Sequence, residues 1–553
     1  MLPLLLLFAS PLDVVPASSD FFLEVRAPRA LAEGALGHKR WKEAAALPVV
    51  KEQLDGTVLR RSSQLLAHFE RGLGAKWPQL LDDLAGNGLV LAGKQGNGQP
   101  ALLVAEGKDA KRQDRLAALL VELANDELAR QGAKAKVAEG KHREAKVWSV
   151  GEAAFLARFG PFLALSNKPE AIKAAIDLHA GEGKAIASHP GMKGFAKLLP
   201  EGSAARAWLS LKAFQASKAG KELYAEPRDN FLSTLFFGGY LSVFGRAPCV
   251  AAALVPGKDG FTATLRVPVG RKDMGADKHL HAPEAAIPSL LEPEGVLYSL
   301  SWAYDFAALW HERDKLFNPA QAKGLADSDK NPVLALAGAK PGTLLQAAGA
   351  AHRFVIVHRS RADSRKQPAT LLPSFVFVTQ PRDAEKFGKA LDASLRGAGA
   401  IQAAALGLLL KEEKHAGTTL TGYRFSETKA LEGDPTDYRY NFSPCWGRSG
   451  GKFVLSTTFE GAKATLDALA KEKPGKLPGR MADKLYPSGF AALMEAGEDA
   501  LVAQTVLGQA ASPDEARSQV KALTALVKSL GGIGTSSAFG DDGFRFDVWF
   551  KAG

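Results

Sequence analysis

The sequence predicts an α+β fold written twice, each copy an antiparallel sheet of hairpins with helices packed on one face. Two observations carry this. First, four segments recur in the same order along the 553 residues. Leu165–Asp177 matches Leu455–Asp467 at an offset of 290, and Leu199–Ala205 matches Tyr486–Ala492 at 287. Gly257–Phe261 matches Gly540–Phe544 at 283, and Asp109–Lys111 matches Asp383–Glu385 at 274. Ala-rich helices produce one such match by chance, but not an ordered series with drifting offsets, so a duplicated unit with loop insertions is expected. Second, short apolar runs bounded by glycine turns alternate with stretches of helical period, the pattern of hairpins covered by helices.

The elements follow in order. Ala101–Ala105 reads as a strand, after which Asp109 opens a helix with Leu116, Leu119, Leu120, Leu123 and Leu128 on one face. Phe162–Leu165 is the next strand, and Glu170 opens a helix carrying Ile172, Ala175, Ile176 and His179. The second copy repeats this with Phe375–Val378 before Asp383 and Phe453–Leu455 before Glu460. An acid in the first turn complements the positive end of the helix dipole. Gly96–Gly98 and Gly450–Gly451 mark hairpin turns. Phe231–Val255 is too short and too glycine-broken for a membrane span and is expected to be a buried helix followed by a strand. The last helix starts at the capping box Ser512-Pro513-Asp514-Glu515, runs along Val520, Leu523, Leu526, Val527 and Leu530, and stops at Gly531. Phe544–Phe550 closes the chain as an alternating strand.

Length and composition set the class. With 46% hydrophobic and 23% charged residues the chain is globular, and two cysteines supply neither a disulfide framework nor a four-cysteine zinc site. Cys249 and Cys445 are positioned to pair only if the copies pack together. The net charge of +11 favours an anionic partner, yet the basic residues are interleaved with acids and no aromatic–basic nucleic-acid signature is present. Leu2–Ala9 followed by Val15-Pro16-Ala17 reads as a secretory signal peptide over residues 1–17, with a mature chain from Ser18. The modules are expected at 20–268 and 287–551, with a Pro- and Ala-rich linker at 269–286.

A stretch of the first copy carries a family likeness. Phe162–Asp177 (FLALSNKPEAIKAAID), Ser188–Phe195 (SHPGMKGF), Leu198-Leu199-Pro200 and the strand Ala207–Leu211 resemble a family of exported bacterial proteins that share a domain of unknown function. The likeness runs over about residues 21–211 and reaches the second copy through the internal repeat. It implies an extracytoplasmic protein, and it transfers no functional residue.

Several chemical motifs are incomplete. Cys445–Gly451 looks like a serine-protease nucleophile loop or a Gly447-x-Ser449-x-Gly451 elbow with His352 as partner, but a strand follows where an elbow needs a helix, so a hairpin turn is expected. His279, His281 and Glu284 offer three ligands on an extended segment, fewer than a closed metal site uses. The Gly86–Gly88 and Gly96–Gly98 triplets lack the lysine and acid of phosphate or dinucleotide sites. No catalytic, cofactor-binding or metal residue is therefore assigned.

The differences between copies are the better place to look for function. Between its two helix starts the second copy is 16 residues longer, and the excess falls near Leu431–Trp446, with Tyr438, Tyr440 and Trp446. It also carries a longer basic loop with Arg359, Arg361, Arg365 and Lys366. These seven residues either present stacking faces and positive charge to an acidic or carbohydrate-like partner, or form a local plug with solvated arginines. The expected function is that of an exported, non-enzymatic two-module scaffold that binds an extracytoplasmic partner. The alternative is a hydrolase with its site between the modules.

Overall fold

The computed structural model describes residues 10–133, 136–192, 194–281, 286–336, 338–368, 370–473 and 475–552. The apolar run Leu2–Ala9, Lys193 and Glu284 lie outside them. The chain forms two compact units. One comprises the residues up to Ser217 together with Ala247–Pro268, and the other Lys218–Arg246 together with Val269 onward.

The first unit is built on ten strands: β1 (Phe21–Val25), β2 (Gly88–Gly93), β3 (Ala101–Glu106), β4 (Ala138–His142), β5 (Ala145–Val150), β6 (Ala154–Phe159), β7 (Phe162–Ser166), β8 (Ala205–Ser210), β9 (Cys249–Gly257) and β10 (Gly260–Val267). Their order is β4-β5-β6-β7-β3-β2-β1-β8-β9-β10, antiparallel throughout. Five helices intervene between β1 and β2: α1 (Pro28–Gly37), α2 (Lys39–Ala45), α3 (Pro48–Leu54), α4 (Thr57–Leu73) and α5 (Trp77–Ala85). α6 (Ala110–Arg130) follows β3 and α7 (Pro169–His179) follows β7. Asp109 caps α6 by accepting from Arg112 N–H. The stripe Ala171, Ile172, Ala175 and Ile176 of α7 packs on Leu102, Val104, Ala157, Phe162 and Ala164 of the sheet. Removing one such isoleucine to alanine costs about 2–5 kcal/mol.

The second unit has the short pair β11 (Ala286–Pro288) and β19 (Lys476–Pro478). Its large sheet consists of β12 (Val296–Ala303), β13 (Ala351–Val357), β14 (Ser374–Gln380), β15 (Leu408–His415), β16 (Thr418–Phe425), β17 (Cys445–Ser449), β18 (Lys452–Ser456), β20 (Met481–Leu485), β21 (Leu530–Phe539) and β22 (Phe544–Ala552). Its order is β15-β16-β17-β18-β14-β13-β12-β20-β21-β22, again antiparallel. Position for position, this is the strand order of the first unit. The protein is an α+β fold, and Asp383, Glu460, Gly450 and the Ser512–Glu515 capping box stand where the sequence places them.

Four expectations need correction. Lys218–Arg246 belongs to the second unit and not to the first module. Its helix is not buried, because a wide π turn at Ser233–Phe237 leaves Leu232, Phe236 and Phe237 57–60% exposed while Gly238, Gly239, Ser242 and Val243 face inward. The expected linker is packed through its described part: Asp277 meets Arg228 at 2.9 Å, and Leu280 joins Tyr304, Leu309 and Phe317. Proline and alanine gave that stretch a linker's composition, but its apolar residues are core residues. The last helix ends at Lys528, and Leu530 and Gly531 begin β21.

At the other end, Ser10 caps a 3-10 turn over Pro11–Val14. Leu12, Val14 and Val15 are buried, and Val15 O accepts from Ile186 N–H at 2.7 Å. A chain cut after Ala17 would lose these contacts. A protein beginning at Ser18 should unfold with about 2–5 kcal/mol less stability than one beginning at Ser10. Equal denaturation midpoints would show that residues 10–17 add nothing to the core.

In the second unit His281 stacks on Phe539 at 4.8 Å and lies beside Gly239, where a Cβ would stand 2.2 Å from Nε2. Neither ring nitrogen has a hydrogen-bond partner among the described residues. Burial, then the charges of Arg480 and Arg271, hold its pKa well below the ordinary 6.5, and burial lowers that of His352 as well. Both are neutral in the fold and protonate on unfolding, so stability is lost as pH falls below 6.5, at up to about 1.4 kcal/mol per pH unit for each. Melting at pH 5.5 and 7.5 should show this loss, and His281→Leu should reduce the difference between the two temperatures. An unchanged difference would refute the assignment.

Candidate functional site

The seven residues singled out from the sequence do not form one exposed surface. Arg359 is buried and donates to Leu372 O, Asn441 O and Asn441 Oδ1. Tyr440 and Trp446 are each 4% exposed, so the stacking platform expected from them does not exist. Tyr440 packs under Arg439, whose guanidinium stands 4.7 Å from its ring centroid. Arg361, Arg365, Lys366 and Tyr438 are exposed. Lys366 is ion-paired to Asp437 at 2.7 Å, and Arg365 N–H donates to Glu427.

The physical reason is that two insertions close on each other. Residues 426–444 join β16 to β17 where the first unit has only 151–153, and residues 358–373 join β13 to β14. Asn441 stitches them by accepting from Leu372 N–H and donating to Thr370 O. Below, Arg424 pairs with Asp363 and Glu413, and Lys463 meets Glu413 at 2.7 Å. Burial pushes the carboxyls of Asp363 and Glu460 up and the Cys445 thiol behind them up further.

The other motifs resolve as structure. Ser449 ends β17 in a hairpin, and His352 is buried between Thr379 Oγ1 and Tyr304 O, each at 2.9 Å. His279 approaches Glu312 at 3.9 Å while His281 points into the core, so the two histidines do not converge. Among the described residues no group of three His, Cys, Asp or Glu is arranged to hold a metal ion. Cys249 and Cys445 are buried free thiols, one in each unit.

A groove of about 1140 Å³ lies within the first unit. One face of α6 supplies Asp114, Ala118, Val121 and Glu122, at the i, i+4, i+7, i+8 spacing that shares a helix face. The β4–β5 hairpin supplies Glu139, Arg143, Lys146 and Trp148, β6 and its turn supply Arg158 and Phe159, and α7 supplies Ile176 and His179. An apolar recess of about 190 Å³ continues past Val121 and Trp148 toward Val137 and Leu156. The turn after β6 requires glycine twice over: Gly160 has φ +48°, and a Cβ there would stand 2.4 Å from His179 Nε2.

The cations lining this groove are ion-paired, and the exposed Glu144 also lines it. Lys146 and Arg158 sit opposite each other on β5 and β6, a like-charge pair relieved by Glu139 at 3.3 Å and Asp114 at 3.1 Å respectively. Lys146 and the Trp148 indole N–H hold the Glu139 carboxyl below the usual range. At the rim, Asp177 of α7 accepts from Arg143 at 2.6 Å and meets His142 Nε2 at 2.9 Å. These two partners, the arginine first, hold the Asp177 carboxyl down.

The second unit has the same groove in a narrower form. Strand register sets Trp446 and Arg448 where the first unit has Leu156 and Arg158. Trp446 fills the space against the Ala384–Leu406 helix and donates to Asp392 at 2.8 Å, and the remaining cavity is about 330 Å³. The rim clasp recurs, with His415 Nε2 2.8 Å from Asp467 Oδ1. Asp177 and Asp467 align in the sequence match at offset 290, and each sits on the helix that follows its hairpin strand. Their histidines lie 273 residues apart and the aspartates 290, so the clasp does not stand out as a sequence match; its signal is a histidine just before each hairpin turn.

No family model and no curated protein matches the chain. Among solved structures, crystal forms I, III and IV of TP0453 are similar, each 10% identical and covering 47% of this chain. They match over 79%, 80% and 81% of that chain with TM-scores of 0.24, 0.22 and 0.23.

Asp177→Ala should release Arg143 and His142 and speed amide hydrogen exchange across residues 138–150. The pair is partly exposed, so global stability should fall by no more than about 1 kcal/mol. Exchange that stays at the wild-type rate would mean the hairpin is held by its ladder alone.

Proposed function

We propose that the protein is a non-enzymatic binding protein made of two copies of one α+β module, with its ligand in the groove of the first unit. The observation that carries this is the combination of a recess of about 1140 Å³ with wall cations that are already ion-paired. Such a wall offers little attraction to an anion, so affinity comes from covering the half-buried Val121 and Trp148. The ligand class is therefore a molecule with an extended apolar body and at most a small polar end. The shared strand order supports the reading of two module copies. An extracytoplasmic location belongs to the same reading and rests on the Leu2–Ala9 run.

The uncharged dye N-phenyl-1-naphthylamine tests the site. It should bind saturably with a rise in emission, and Ala118→Trp, which sets an indole on the groove face of α6, should weaken binding at least about tenfold, a loss of 1.4 kcal/mol. Thermal unfolding of the variant should stay near wild type. Undiminished dye binding in a folded Ala118→Trp protein would remove the groove from consideration.

A further inference from the structure

The helix α4 (TVLRRSSQLLAHFERGL) is two-faced. At 100° per residue, Val58, Leu59, Leu65, Leu66, Phe69 and Leu73 fall within an arc of about 120°. Only the end of that arc is used by the fold. Leu73 is buried and Phe69 packs with it against Leu80 and Leu119. Val58, Leu59, Leu65 and Leu66 are 77%, 46%, 49% and 42% exposed, and every residue from Thr57 to His68 is exposed. Three turns of helix, about 18 Å, thus stand clear with an aliphatic face uncovered.

The opposite face is basic. Arg60, His68 and Arg71 lie there, Arg61 stands between that face and the apolar arc, and the helix's single acid, Glu70, is taken by Lys76 at 2.9 Å. Among the described residues neither Arg60 nor Arg61 has an acidic partner. Arg61 sits at the edge of the apolar arc, where its stem can lie along that face and its head reach outward.

We infer that α4 is a membrane-surface helix that lays Val58, Leu59, Leu65 and Leu66 into an anionic lipid interface, with Arg60, Arg61 and Arg71 against the headgroups. The charge pattern and the chemistry of the face select this occupant. A second copy would bring the same uncompensated arginines together. A protein partner is usually held by aromatic and arginine anchors in pockets, whereas the exposed part of this arc is four aliphatic side chains on a convex surface. A lipid interface needs no shape complementarity and combines apolar burial with attraction of cations to anionic headgroups. The helix would lie on the bilayer, and no helix among the described residues is long and apolar enough to cross one.

Flotation of the full chain with vesicles tests this, using phosphatidylcholine alone and phosphatidylcholine mixed with phosphatidylglycerol. The protein should float with the mixed vesicles and release as salt is raised. Val58→Asp combined with Leu65→Asp should weaken binding at least about tenfold, and Arg60→Glu with Arg61→Glu by a similar factor. These side chains are exposed, so circular dichroism and melting should match wild type and show that the loss is not unfolding. A cysteine placed at Ser62 and labelled with an environment-sensitive dye should shift to the blue on the mixed vesicles. The inference is overturned if the wild-type protein stays unbound, if either double variant floats like wild type, or if binding ignores the anionic lipid. A self-association in sedimentation that the two aspartates abolish, with no vesicle binding, would assign the face to a second copy instead.

Discussion

Strand β1 holds the first sheet together because both of its edges are bonded, to β2 on one side and to β8 on the other. Without it the ten strands fall into β4-β5-β6-β7-β3-β2 and β8-β9-β10. Five residues, Phe21–Val25, therefore carry the closure of about 250 residues of chain. Phe22 points inward, stacked 6.3 Å from Trp208 and edge-on 5.4 Å from Phe195, while Glu24 on the same face pairs with Arg206. β12 does the same in the second unit, bonded to β13 and β20, with Ser299 and Ser301 buried and bonded to the backbone of residues 291 and 288. Central strands formed from distant segments are slow to assemble, since loop closure comes before the ladder compensates for it.

On this shared frame the two units diverge where the frame leaves room. The groove between the first long helix and the outer hairpins is open in one unit and filled by Trp446 in the other. At one equivalent strand position Leu156 lines a small apolar recess in the first unit, whereas Trp446 packs against the facing helix in the second. The same unit that fills its groove also has nineteen residues at 426–444, which Asn441 ties to the loop between β13 and β14. Charge follows the same logic. Both grooves keep an arginine at the equivalent position, 158 or 448; Asp114 of the facing helix is ion-paired to the first at 3.1 Å, and Glu385 of the facing helix feels the charge of the second.

The helical segment between β1 and β2 is a different kind of element. α5 and the end of α4 are tied into the core through Leu73 and Leu80, and the remainder of α4 contributes nothing to it. A stretch of amphipathic helix that the fold does not need is maintained by propensity alone, which is marginal at this length, and it gains most from a surface that covers it.

What the sequence by itself determined is local. Asp109, Asp383 and Ser512 cap helices because a side-chain oxygen next to a helical run satisfies orphan N–H groups, a relation settled within three residues. Gly450 marks its turn for the same short-range reason. The five helices before β2 and the β4–β5 and β15–β16 hairpins were not legible, since their apolar residues are few and their burial is slight. Only the tertiary structure decided that Tyr440 and Trp446 are core residues, that Lys218–Arg246 packs with the second unit, and that His142 meets Asp177 across 35 positions. Those outcomes depend on which surfaces meet after the sheet closes, and an aromatic or charged side chain has the same sequence signature whether it meets solvent or a neighbour.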